Sequence, residues 1–145
     1  MFEVCFGGAR GGGKTDSMIG GDWPQHAQRY GQYAKGVFFR REMPQLDAAI
    51  ERSKELYYPL GAGWNEQKKT WTFPGGGSLK FRPLERDSDA EKYQGHDYTR
   101  LYFEELTNYP DPKPVNKLKG TLRSGTGVPC GFRATCNPGG PGHNW

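Results

Sequence analysis

Two short stretches carry the residue types that phosphate chemistry needs. In Gly8-Ala9-Arg10-Gly11-Gly12-Gly13-Lys14-Thr15 a glycine is followed, after four residues, by Gly-Lys-Thr, and Phe2-Glu3-Val4-Cys5-Phe6 before it alternates as a strand does. Glycines let a backbone approach a polyanion without Cβ clashes, so that successive N–H groups face a β-phosphate. Lys14 adds a point charge, and Thr15 brings a hydroxyl suited to Mg²⁺ where a helix begins. ATP and Mg²⁺ are therefore the expected ligands; a plain glycine turn would need neither the Lys-Thr pair nor the strand. The second stretch is Glu104-Glu105, which directly follows the apolar run Thr99-Arg100-Leu101-Tyr102-Phe103. Two adjacent carboxylates can divide the work of ATP hydrolysis. Glu104 would hold Mg²⁺ through its water shell, and Glu105 would orient or deprotonate the attacking water.

These residues need elements that bring them together. A helix is expected from Thr15 to about Ile19, interrupted at Gly20-Gly21, with Asp22 capping a second short helix at Trp23-Pro24. Gly36-Val37-Phe38-Phe39-Arg40 reads as a buried strand, which completes a right-handed βαβ unit and a parallel sheet. Pro44 opens a helix to about Tyr58 whose inner face is Leu46, Ile50, Ser53 and Tyr57. Residues 69–82 read as an inserted hairpin turning at Pro74-Gly75-Gly76-Gly77, with Trp71, Phe73, Leu79 and Phe81 on its buried face. Covering a sheet edge suits that hairpin better than stacking nucleobases. Asp87 or Ser88 is placed as the cap of a short turn through Tyr93, and Val115, Leu118 and Leu122 trace a further helix face. Gly131 to Cys136 is the last strand. The Glu104-Glu105 strand end falls on the sheet edge that carries the glycine loop, where α/β proteins bind ligands. Polar residues at the tip of the last strand could touch the γ-phosphate there.

Composition sets the kind of core. Of 145 residues 34% are hydrophobic, 14% aromatic and 22 are glycine, so burial must lean on Phe, Tyr and Trp. Lys and Arg number 20 against 16 Asp and Glu, a net charge of +4 that is compatible with a polyanionic partner. No long basic run exists. Arg40-Arg41, Lys68-Lys69 and the set Lys113, Lys117, Lys119 and Arg123 read mostly as solvated surface. Cys5, Cys130 and Cys136 lack zinc-site spacing, and no signal peptide or apolar span is visible, which points to a reducing cytosol.

The order of motifs resembles the large terminase subunit of tailed bacteriophages. The resemblance rests on residues 7 to 15, then Tyr93-Gln94-Gly95-His96-Asp97-Tyr98 leading to Leu101-Tyr102-Phe103-Glu104-Glu105-Leu106-Thr107, then Arg123-Ser124. It is completed by Ala134-Thr135-Cys136-Asn137-Pro138-Gly139-Gly140-Pro141-Gly142-His143-Asn144-Trp145. It implies an α/β P-loop ATPase of the ASCE type, a mostly parallel sheet flanked by helices, that drives double-stranded DNA into a capsid. It makes Arg10 an in-loop arginine that neutralises γ-phosphate charge, Glu104 and Glu105 the Walker B pair, and Thr135, Cys136 and Asn137 the segment coupling hydrolysis to movement. The implied partners are DNA, a portal protein, a small terminase subunit and further copies in a ring, in the host cytoplasm and transiently at the portal. The family pattern has Asp-Glu where this chain has Glu104-Glu105. The chain also begins one short strand before the loop and ends at Trp145, so the expectation is a partial ATPase domain over 1–145 with no nuclease domain. Two alternatives stay open: a nucleotide- or DNA-binding fragment without catalysis, and another P-loop DNA-dependent ATPase such as a helicase.

Overall fold

The computed structural model describes residues 2–6, 13–93, 95–105, 109 and 112–135. Among them a seven-stranded sheet runs in the order β1-β7-β6-β2-β5-β4-β3. The strands are β1 (Phe2–Phe6), β2 (Lys35–Arg40), β3 (Gly63–Asn65), β4 (Thr70–Thr72), β5 (Ser78–Pro83), β6 (Arg100–Phe103) and β7 (Gly131–Thr135). From β1 to β5 every neighbour is parallel; β4 and β3 add on antiparallel. Phe103 lies beside both Phe39 and Ala134, and Phe6 beside Thr135, so β1, β7, β6 and β2 end together on one edge.

Helices cover both faces of the sheet. On one lie α1 (Gly13–Asp16), α2 (Trp23–Tyr30) and α3 (Met43–Tyr57); the other carries α4 (Asp87–Glu91) and α5 (Lys113–Lys119). Strand alternation sorts the core between these faces. Phe38 and Tyr102 point to the first with Trp23, Leu46, Ile50 and Tyr57, while Val37, Phe39, Leu101 and Phe103 point to the second with Val115 and Leu118. The largest fully buried side chains are Trp23, Trp71, Tyr57, Tyr102, Phe38, Phe39, Phe81 and Phe103, as an aliphatic-poor composition requires. The inner face of α3 is Leu46, Ala49, Ile50, Ser53 and Tyr57. Ser53 is satisfied there because its hydroxyl accepts the Trp71 indole N–H at 2.9 Å and donates to the Ile50 carbonyl.

The structure differs from the sequence reading in several places. Gly20-Gly21 does not interrupt the first helix. Residues Ser17–Asp22 form a π-helical segment that joins α1 to α2, with the Trp23 N–H bonded back to the Met18 carbonyl. Asp22 sits inside this run with helical dihedrals and caps nothing. Its carboxylate instead accepts from Arg100 Nε at 2.9 Å and Tyr102 Oη at 2.5 Å, two contacts that tie the helix to the start of β6. Arg86 holds the cap position of α4, one residue before Asp87, and Asp89 reaches back to the Glu85 and Arg86 N–H groups. The hairpin forms around Gly75 and Gly76, both at positive φ. Its second arm, β5, lies alongside β2 rather than over an edge, and β4 and the short β3 extend the sheet beyond it. Trp71, Phe73, Leu79 and Phe81 are all in the core, which removes nucleobase stacking as their role. No helix among the described residues is long and apolar enough to cross a membrane.

Candidate active site

The site lies where β2, β6 and β7 end beside the first turn of α1. Thr15 is the third residue of α1, and its hydroxyl donates to Glu104 Oε1 at 2.5 Å. The helix runs back over β6. One end is tied to Glu104 just past the strand, and the other to Arg100 and Tyr102 through Asp22. Glu104 continues the β6 ladder, its N–H bonded to the Phe39 carbonyl at 3.0 Å. Glu105 then turns out of the strand with φ of 55°, a left-handed conformation that costs a side-chain-bearing residue roughly 1–2 kcal/mol. The turn is held by Thr135, at the end of β7, whose Oγ1 accepts the Glu105 N–H at 2.6 Å. Thr135 is itself buried.

One residue the sequence reading left on the surface belongs here. Arg40, the last residue of β2, is only 12% exposed, and its fork spans both carboxylates, Nη1 to Glu104 Oε2 at 2.8 Å and Nη2 to Glu105 Oε2 at 2.9 Å. Its Nε donates to Gln45 at 3.3 Å. The Glu104 contact is an ion pair outside hydrogen-bond geometry, so Glu104 Oε2 is buried without a hydrogen bond. The signal was available, since an arginine ending a parallel strand on the loop-bearing edge faces the ligand side. A charged pair read as Arg40-Arg41 hid it. Beside these groups a cavity of about 460 Å³ is lined by Thr15, Asp16, Arg40, Gln45, Arg52 and Glu104 among others. Arg52 closes its rim with a two-point contact to Asp16, 3.0 and 2.8 Å, which holds the Asp16 carboxyl below its ordinary range.

Of the expected site residues, the structure thus joins Thr15, Glu104, Glu105 and Thr135. Gly13 and Lys14 begin α1. Gly8, Ala9, Arg10, Gly11, Gly12, Cys136 and Asn137 lie outside the described residues.

The fold is similar to that of the large terminase from a thermophilic bacteriophage, with a TM-score of 0.74 at 16% identity over 94% of this chain and 34% of that one. The same phage's terminase in complex with ADP aligns with a TM-score of 0.66 at 14% identity over 94% and 33%. The N-terminal domain of the DNA packaging ATPase from bacteriophage phi29 gives 0.65 at 17% over 92% and 72%. At such identities the likeness is one of fold, and this chain spans about a third of the thermophilic phage protein. No curated protein matches the sequence. Residues 5–140 match the family described as terminase large subunit, T4likevirus-type, N-terminal. With the P-loop pattern and the paired carboxylates inside that span, the chain belongs to this family of terminase large subunits.

Proposed function

We propose that this chain is the ATP-hydrolysing lobe of a DNA-packaging motor. The observation that carries the reading is the meeting of Thr15, Glu104, Glu105 and Thr135, from three separate stretches, at one sheet edge. The solved relatives support it, one being a terminase with ADP and another a DNA packaging ATPase. Gly8, Ala9, Arg10, Gly11, Gly12 and Gly13 would cradle the phosphates, with Lys14 and Arg10 relieving charge on the γ-phosphate.

The donor set fits Mg²⁺. A hydroxyl and a carboxylate already converge, and Mg²⁺ uses one or two carboxylates together with substrate phosphates. Thr15 and Glu104 would hold the ion, which supplies electrostatic stabilisation of the transferring phosphoryl group. Glu105 accepts a proton from water as the water oxygen bonds to the γ-phosphorus and the bond to the ADP oxygen breaks. Thr135 fixes the backbone that aims Glu105. Through the neighbouring Cys136 and Asn137, its strand would sense whether that alignment exists. Double-stranded DNA is the substrate moved, by copies of the protein arranged in a ring at the capsid portal.

Thermal unfolding with and without Mg²⁺-ATP tests this. Ligand at a hundredfold excess over Kd adds about 2.7 kcal/mol to stability, a rise of several degrees in Tm. Lys14→Ala should abolish the rise, and Glu105→Gln should keep it while stopping single-turnover hydrolysis. No rise in the unaltered protein would refute nucleotide binding. A rise without turnover, even with duplex DNA present, would instead identify a binding module.

A further inference from the structure

A second charged cavity lies at the opposite edge of the sheet, where β6 and β7 begin rather than end. One wall follows α2: Asp22 just before it, then His26 and Tyr30, spaced by four along one side, with Arg29 next to them. The other wall is Arg100, the first residue of β6, and Pro129 shortly before β7. We propose that this cavity of about 590 Å³ is an anion site that takes a phosphate group between the guanidinium groups of Arg29 and Arg100. It shares no residue with the hydrolysis scheme above and does not depend on it.

Charge and donor supply lead to it. Asp22 is the one carboxylate on the walls, and two arginines draw on it, Arg100 Nε at 2.9 Å and Arg133 Nη2 at 3.7 Å. The oxygen that meets Arg100 also accepts the Tyr102 hydroxyl. Arg100 is 8% exposed, and a charge so buried needs compensation from close by. Its Nε is spent on Asp22 and its Nη1 on the Thr99 and Pro129 carbonyls, while Nη2 has no acceptor among the described residues. Arg29 stands exposed on α2 and has no ion pair among those residues either. Two planar forks with N–H groups to spare suit the several oxygens of a phosphate, and the Gln25 and Gln28 amides on the same helix add donors. His26 registers the excess of positive charge. Burial first, and then Arg100 with help from Arg133, hold its pKa down at about 4, with Asp22 opposing them. The cavity is large enough for a phosphate together with its ester substituent, so a small phosphate ester and a DNA backbone present the same chemistry to it.

Inorganic phosphate titrated at constant ionic strength into Lys14→Ala protein, whose glycine loop is thereby impaired, tests the site. The readout is the nuclear magnetic resonance signal of the His26 ring on the cavity wall. It should move on binding, and the proton affinity of His26 should rise about tenfold as the anion offsets Arg100 and Arg133. Adding Arg29→Gln should weaken phosphate binding about tenfold, as loss of a charge-assisted contact implies, whereas Lys68→Gln, which removes an exposed charge outside the cavity, should leave it unchanged. Arg100→Gln also cuts the tie to Asp22 and risks unfolding the chain, so exposed Arg29 carries the decision. A nucleoside monophosphate and a short DNA duplex then separate the sources. Arg29-dependent movement of the His26 signal with the monophosphate alone supports a site for a free phosphate ester, and the same movement with the duplex supports one for the DNA backbone. A His26 signal unmoved by all three probes would overturn the proposal. So would a loss of affinity in Lys68→Gln as large as that in Arg29→Gln, which would reduce the binding to diffuse surface charge.

Discussion

Replacing Thr135 with valine tests how Glu105, the proposed base, is aimed. The change keeps the branched shape and removes one oxygen, the acceptor of the Glu105 N–H at 2.6 Å. Thr135 is 3% exposed, so water does not readily replace that oxygen. Leaving a buried N–H without its acceptor costs about 1–3 kcal/mol. Glu105 is meanwhile held at φ of 55°, a conformation that by itself costs roughly 1–2 kcal/mol. Two outcomes are open to the variant, and each leaves a trace. If Glu105 keeps its conformation, the full loss appears as a fall in Tm of several degrees, since about 1 kcal/mol moves a domain of this size by roughly 2–4 °C. If Glu105 relaxes to negative φ, most of that stability returns but the carboxylate moves, and kcat drops by about a hundredfold while Mg²⁺-ATP still raises Tm. Thermal unfolding and single-turnover hydrolysis on the same samples distinguish the cases. Thr135→Ser, which retains the oxygen, should recover both. A valine variant with unchanged Tm and unchanged kcat would refute the argument, as would a serine variant as impaired as the valine one.

Other expectations concern the frame around the site. Ser53→Ala strips the buried Trp71 indole N–H of its acceptor and should cost about 1–3 kcal/mol in chemical denaturation; in a Trp71→Phe background the same change should cost clearly less. His26 Nε2 shares a hydrogen bond with the Thr99 hydroxyl in the core, and burial, aided by the positive charge of Arg100, pushes its pKa down to about 4. A histidine depressed in the folded state is protonated first in the unfolded chain. Stability should therefore be fully present above about pH 6.5 and fall by up to about 3 kcal/mol as pH drops towards 4. His26→Gln, which can still bond to Thr99, should flatten that limb in urea titrations across this range. Salt should separate the two arginine contacts. Those of Arg40 are largely buried, at 12% and 13% side-chain exposure for Arg40 and Glu104, whereas the Arg52–Asp16 contact at the rim is about two-fifths exposed, so ionic strength should weaken the second far more than the first. Arg52→Ala should lower Tm only slightly at low salt and leave it unchanged in molar salt; a large, salt-independent fall would mean that Arg52 supports the site more deeply than its exposure indicates.

The local rules were legible in the sequence by itself. Alternation and turn residues located the parallel strands, the 74–77 turn and the aromatic hairpin face, because those depend on neighbours a few positions apart. The common sheet edge of Thr15 and the Glu104-Glu105 strand end followed from the same rules and from the handedness of βαβ units. Contacts distant along the chain decided the rest. Gly20 and Gly21 read as a helix break, yet tertiary packing holds them in a π segment, since Asp22 finds Arg100 and Tyr102 about eighty positions away. Arg40 looked like surface charge beside Arg41, and only the parallel pairing of β2 with β6 brings it against both glutamates. The turn of Glu105 out of its strand depends in the same way on Thr135, thirty residues later and one strand over. Residue type and spacing thus named the groups proposed for phosphate chemistry, while register across the sheet decided which groups hold Thr15, Glu104 and Glu105 in place.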